Sequence, residues 1–333
     1  MSDGFHNSRK ATSFDVARLA GVSRAAVSRT YTPDASVSPE TREKVHKAAA
    51  ELGYRVNYLA RSLTNSRSDL VGVIVAGFDN PFRALQVEQI AYALLARNLR
   101  PMLLPTSMNA DTPQLIGQLL HYAVSGVVVT SDAPPSSLCE ECAAHGVPIV
   151  LINKGDEIDF VDRVITDDLT AGTTAASYLI ERGARRPAVM GAAKVSYTVR
   201  RRISAFVARC AALGVEATLR PIALNDYQSG FAAAEGLADY GIDALFCTTD
   251  YLACGVIDRL AADRPQSKSR LPIIGHDNIP QASWAAYDIT TFLQPCDLQA
   301  RLVVELLISR IGEPKTSARV EVTPVTLIMR GSA

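Results

Sequence analysis

What this sequence lacks narrows it first. No stretch approaches about 18 uninterrupted apolar residues, so no membrane-spanning helix is expected. The opening MSDGFHNSRKATSFD has no apolar core of the kind secretory signals carry, which makes the cytoplasm the expected location. No G-x-G occurs, so the dinucleotide fingerprint is absent, as are the G-x-x-x-x-G-K-S/T phosphate loop and the G-x-S-x-G nucleophile elbow. Cys139-x-x-Cys142 with His145 has some metal-ligand character, yet no second pair stands at zinc-finger spacing. The six cysteines therefore read as reduced thiols. The adjacent carboxylates Asp167 and Asp168 suit a strand-to-helix cap better than acid–base catalysis. The expectation is a protein that is not an enzyme and needs no metal or cofactor.

What is present is an ordinary globular composition, 48% apolar and 20% charged, in a chain of 333 residues. That length suits two or three domains with proper cores. The net charge of zero conceals an asymmetry. Residues 9–67 carry 11 Lys/Arg against five Asp/Glu, a balance of +6, whereas residues 68–333 carry 23 against 28. A basic head on an acidic body suggests that the head meets a polyanion, because phosphate neutralisation releases counterions.

The head reads as short helices. Thr12 and Asp15 form a capping-box pattern ahead of Phe14–Ala20, and Gly21 breaks that run as a tight turn requires. Ser23 caps a second helix from Arg24 to Thr30, with Val27 inward and Arg24, Ser28 and Arg29 outward. Ser38 and Pro39 open a third helix through Val45, Ala48, Ala49 and Leu52 until Gly53. Two helices about a glycine turn with a third across them make a helix-turn-helix, whose second helix enters the major groove.

From residue 12 to residue 63 the sequence resembles the DNA-binding head of the LacI/GalR (lactose repressor-like) family. The pieces DVARLAGVS, AVSR, VSPETREKV, ELGYR and N-x-L-A-R-S-L carry the resemblance, in order and at the right spacing. It implies that Arg24, Ala25 and Arg29 face base edges, with Ser23, Ser28 and Tyr31 near phosphates. An Arg can pair bidentately with guanine O6 and N7, or clamp a phosphate instead; for Arg24 both remain open, and for Arg29 base reading is favoured. Asn57–Leu63 resembles the family's hinge helix, which implies a minor-groove site where Leu63 wedges a base step and Ala60 lets paired helices approach. Alone in water such a short helix does not persist. Ala26, Thr32 and Val56 stand where the family usually has Thr, Asn and Pro.

From Asp69 onward, short apolar runs alternate with helical patterns, from Leu70–Ala76 and Pro81–Arg97 to Thr290–Leu293 and Leu298–Ile311. Strands apolar on both faces and joined by helices mean parallel sheets covered on each side. The expected class is α/β: an all-α helix-turn-helix head and hinge helix, then two doubly wound parallel-sheet lobes of periplasmic-binding-protein-like type. Segments such as VGVIVAGFDNPF, DALFCTTDYLACGVIDRL and LPIIGHDNIP resemble the same family. The resemblance implies a head at 1–56, a hinge and linker at 57–68, and a core at 69–333. Within the core it implies an N-lobe of about 69–166 and 294–325 and a C-lobe of about 167–293, crossed twice before a return near Leu293.

Ligands in such folds sit beyond the C-terminal strand ends, so a cleft between lobes is the expected site. Asp79, Phe82, Asn153, Arg202, Asp226, Thr249 and Asp277 fall there. Carboxylate acceptors with a forked Arg suit a sugar or polyol, with Phe82 or Trp284 stacking on the ring. The run Arg200-Arg201-Arg202 raises a sugar phosphate or sugar acid as well. The expected protein is a transcriptional regulator, a repressor binding a pseudo-palindromic operator as a homodimer under a small polar effector, with no membrane partner. No leucine-heptad tail follows Ser332, which favours the dimer over a tetramer. The alternative is a cytoplasmic sugar-binding or sugar-processing protein of the same core that does not act through DNA.

Overall fold

The computed structural model describes residues 11–31, 35–55, 68–106, 111–130, 135–194, 196–263 and 271–333. The chain forms two compact units, residues 1–68 and 69–333. In the first, α1 (Ser13–Ala20), α2 (Arg24–Thr30) and α3 (Pro39–Glu51) close over Val16, Ala17, Val27, Val45, Ala48 and Ala49. The capping box is made in full, with Asp15 accepting from the Thr12 backbone N–H at 3.0 Å. Gly21 ends α1 at φ +63°, a backbone angle that costs a residue with a Cβ. Ser23 and Ser38 cap α2 and α3 through the backbone N–H groups of Ala26 and Thr41.

The second unit holds two six-stranded sheets. The first lobe is built from β1 (Leu70–Val75), α4 (Pro81–Ala96), β2 (Arg100–Pro105), α5 (Thr112–His121), β3 (Gly126–Val129), α6 (Ser136–Ala144), β4 (Ile149–Ile152) and β5 (Asp162–Thr166). The second is built from α7 (Asp168–Glu181), β6 (Pro187–Gly191), α8 (Tyr197–Ala212), β7 (Thr218–Pro221), α9 (Tyr227–Ala233), β8 (Ala244–Cys247), α10 (Asp250–Asp263), β9 (Ile273–Asp277) and β10 (Thr290–Leu293). The chain then supplies α11 (Cys296–Gly312) and β11 (Val320–Thr323) to the first lobe and β12 (Thr326–Ile328) to the second. The strand orders are β11-β5-β4-β3-β1-β2 and β12-β10-β9-β8-β6-β7.

Alternation explains the double winding. Val71, Val73 and Val75 pack beneath α4 and α11, while Ile74 packs with Leu119 and Leu138 of α5 and α6. The second sheet is covered likewise, by α7 and α8 on one face and α9 and α10 on the other. Three features differ from the expectation. The chain crosses between lobes three times, because β12 returns to the second sheet, and it pairs antiparallel with β10. The strands β7, β11 and β12 lie at or near sheet edges with exposed Leu219, Val320 and Val322, so they lack the continuous apolar runs that mark buried strands. The sequence pattern over 227–239 predicts one helix, but α9 stops at Ala233, and Gly236 at φ +61° precedes a 3₁₀ turn at Leu237–Tyr240.

Buried amides tie the three crossings together. Gln299, fully buried at the start of α11, donates to Thr166 Oγ1 at 3.1 Å and Thr323 Oγ1 at 3.3 Å and accepts from Gln86 at 2.9 Å. Thr166 Oγ1 lies 2.8 Å from Gln294 Oε1. Thr166, Gln294 and Thr323 each sit where a strand leaves its sheet for the other lobe, so one polar knot fixes all three connections.

The first sheet's late strand has its own anchor. Asp162 is fully buried and accepts from Arg310 at 2.6 and 3.1 Å, from Arg319 at 2.8 and 3.2 Å, and from the Arg319 backbone N–H at 2.8 Å. Burial alone would raise this carboxyl, but the Arg319 and Arg310 hydrogen bonds outweigh it and hold it below the usual carboxylate range. Asp162→Asn should cost on the order of 3 kcal/mol in urea unfolding at pH 7, since two guanidinium groups lose their counterion. The stability this carboxylate contributes is present above the ordinary carboxylate pKa and is lost as pH falls, so the gap to wild type should narrow in acid.

Candidate functional site

In the head, Ser23, Arg24, Ala25, Ser28 and Arg29 of α2 and its cap are all exposed, while Val27 and Thr30 turn inward. Among the described residues, neither Arg24 nor Arg29 makes an ion pair. Arg18, by contrast, is paired with Asp15 at 3.0 Å, Lys44 is paired with Glu40 at 2.7 Å, and Arg42 donates to the Thr30 carbonyl at 3.3 Å. Arg24 and Arg29 thus leave α2 and its exposed face cationic. Tyr31 is half-buried, with its ring edge-on to His46 at 5.4 Å and tilted against Tyr54 at 6.3 Å, which gives it a packing duty that the sequence did not disclose. Asn57, Ala60 and Leu63 lie outside the described residues.

Between the lobes lies a cavity of about 480 Å³. Asp79, Phe82, Asn153, Arg202, Asp226, Thr249 and Asp277 all line it, together with Arg83, Asn225 and Gln294. Several of these also have local duties. Asp226 caps α9 by accepting from Ser229 N–H at 2.7 Å, and Thr249 Oγ1 accepts from Leu252 N–H at 3.2 Å. Asn153 Oδ1 accepts from the Thr166 backbone N–H at 2.9 Å. Phe82, on α4 of the first lobe, belongs to an apolar cluster otherwise made of second-lobe residues such as Leu252 and Ile279. Its ring is therefore an interlobe plug as well as part of the wall. Trp284, the alternative stacking residue, does not line the cavity and stacks on Tyr287 at 6.4 Å. Arg200 and Arg201 do not line it either and lie over the ring of Tyr197.

Arg202 is 3% exposed; its Nε donates to Asp168 at 2.7 Å and its Nη1 to the Thr248 carbonyl at 2.7 Å. Asp277 ends β9 at φ +118° with Asn278 at φ +51°, a left-handed pair that Asp and Asn tolerate better than most residues. That turn sets the Asp277 carboxyl in the cavity wall, where it accepts from Gln294 at 2.7 Å. Gln294 thereby joins the cleft to the knot of crossings; it and Gln299 escaped sequence reading because an isolated Gln carries no pattern. Asp250, the first residue of α10, accepts from Thr291 at 2.6 Å and from Ile279 N–H at 3.0 Å.

Burial pushes Asp277 up to about 7, against the pull of Arg202. Burial likewise raises Asp250 to about 7, helped by Asp277, and Asp168 to about 6 despite Arg202. His276 is driven well below its ordinary value by burial and then by Arg202, and so stays neutral.

A second contact joins the two lobes. A Cβ on Gly155, which follows β4, would lie 2.4–2.9 Å from three ring atoms of Tyr197 at the start of α8.

Residues 68–326 match the family of periplasmic binding proteins and sugar-binding domains of the LacI family, and residues 14–57 match the bacterial regulatory proteins of the lacI family. The HTH-type transcriptional regulator CelR of Thermobifida fusca is 31% identical over 96% of this chain and 96% of its own. The ribose operon repressor of Escherichia coli K12 is 29% identical over 97% of this chain and all of its own. A solved complex of the transcriptional regulator CelR with cellobiose has a TM-score of 0.71 at 29% identity, covering 97% of this chain and 100% of that one. A helix-turn-helix head before a two-lobed binding-protein core defines a DNA-binding transcriptional regulator, not an enzyme. The chain belongs to the LacI family.

Two outcomes follow from the cleft. Asp168, Asp250 and Asp277 each hold a proton more tightly folded than unfolded, so their contribution to stability falls as pH rises from about 4 to about 7. Asp277→Asn should therefore melt above wild type at pH 8, with the difference vanishing near pH 4. Gly155→Ala should speed amide hydrogen exchange at the start of α8 and lower the melting midpoint. Adding Tyr197→Ala should remove the clash and bring both back to the level of Tyr197→Ala alone.

Proposed function

We propose that this regulator is a repressor that binds a pseudo-palindromic operator as a homodimer and is controlled by a neutral polyhydroxylated effector, a sugar or polyol, in the interlobe cleft. The observation that carries the effector reading is the charge of the wall. Asp79, Asp226 and Asp277 line it against Arg83 and Arg202, and Arg202 is already paired with Asp168. An anionic ligand would meet more carboxylates than free cations, whereas hydroxyl groups can donate to carboxylates and accept from guanidinium. Arg200 and Arg201 stand apart from the wall, so the arginine run no longer favours a phosphate or acid. The CelR structure bound to cellobiose and the ribose operon repressor support the same class.

On the DNA side, one helix offers two Arg side chains with no ion-pair partner among the described residues, too few base contacts for specificity alone. Pairing two heads on half-sites doubles them, which is why a twofold operator is proposed. Coupling between the effector cleft and the head would be typically ~1–3 kcal/mol.

Thermal-shift measurements should compare cellobiose, ribose and sorbitol with glucose 6-phosphate and gluconate. A neutral compound near 100 times its Kd should stabilise by about 2.7 kcal/mol. Shifts confined to the phosphate or the acid would overturn the effector class. On heparin, the full chain should elute at higher salt than a chain lacking residues 1–67. Equal elution would favour the alternative in which the core acts without DNA. Sedimentation of the complex with a selected duplex should give two chains per duplex.

A further inference from the structure

Phe14 is 63% exposed on α1 and takes no part in the head's apolar core. What lies over it is Arg24, the first residue of α2, with Cζ 4.4 Å from the ring centroid. The geometry is a cation–π contact between the two helices of the helix-turn-helix.

Its chemical consequence differs from that of an ion pair. A carboxylate would engage the in-plane N–H fork of the guanidinium. A phenyl ring has no oxygen to engage that fork, so the contact does not tie up the guanidinium as an ion pair would. Arg24 has no ion-pair partner among the described residues, and it stands at the N-terminal end of α2, the end that enters the major groove in such motifs. The ring also removes part of the rotamer freedom that a long exposed Arg would lose on binding.

We propose that Phe14 is a positioning residue for sequence reading: it holds the Arg24 guanidinium over its ring, so that the fork meets the O6 and N7 edge of a guanine. This rests on the DNA-binding reading of the head and deepens it, assigning Arg24 to a base rather than to a phosphate.

The test uses the full chain and a duplex recovered by selection from a random pool, with each base pair of the site then substituted in turn. Loss of binding on removing residues 1–67 is checked first; binding untouched by that removal would overturn the DNA reading and the proposal together. Phe14→Ala should weaken the selected duplex about 2–5-fold, the worth of an exposed cation–π contact. It should also relax the preference for guanine at one position per half-site and leave the salt dependence unchanged. Phe14→Tyr should keep wild-type affinity and preference. In an Arg24→Ala background, Phe14→Ala should have no further effect. The same loss in that background, or a uniform loss with every base preference intact, would overturn the proposal. Because Phe14 lies outside the core, its truncation should leave the circular dichroism spectrum and melting midpoint of the chain unchanged, and a lowered midpoint would assign it a structural role instead.

Discussion

A cluster of buried amides and hydroxyls links the strand ends where the chain passes between the two lobes. Gln299 bonds to Thr166 and Thr323, Thr166 meets Gln294, and Gln294 reaches the Asp277 carboxyl in the cleft wall. Each of these groups is buried, so each must find its partner inside the protein, and removing one leaves others unsatisfied at a cost of ~1–3 kcal/mol apiece. A joint built this way has directional preferences that an apolar joint lacks. Any change at Asp277 is felt where all three connections pass.

Aromatic contacts add to that joint. Phe82 reaches from the first lobe into an apolar cluster of the second, and Tyr197 reaches from the second onto Gly155 of the first. The electrostatics of the cleft are set by burial. Three carboxyls, Asp168, Asp250 and Asp277, sit in or behind its second-lobe wall with raised proton affinity, and one guanidinium, Arg202, lies among them. Of the three, Asp277 lines the cavity, so its raised proton affinity is the one a bound molecule meets directly.

Much of the architecture was legible because each element carries a local cause. The Thr12–Asp15 box, Gly21, Ser23 and the Ser38-Pro39 pair mark the ends of the head's helices. Buried strands such as Gly126–Val129 and Ile149–Ile152 show as uninterrupted apolar runs between helical stretches. The strands β7, β11 and β12 did not show, since an edge strand in water needs no such run. Arginines read alike in the sequence but not in the fold: Arg202 is sealed against Asp168, while Arg200 and Arg201 turn to Tyr197.

The sequence by itself determined the order of elements, the double winding of the sheets and the cationic second helix of the head, because periodicity, caps and charge act over a few residues. Only the tertiary structure decided which residues meet: Gln294 with Asp277, Asp162 with Arg310 and Arg319, Tyr197 with Gly155, and Arg24 with Phe14. Those pairings join positions from about ten to more than 150 residues apart. Their energies come from burial and orientation, which no stretch of chain specifies until the rest has folded around it.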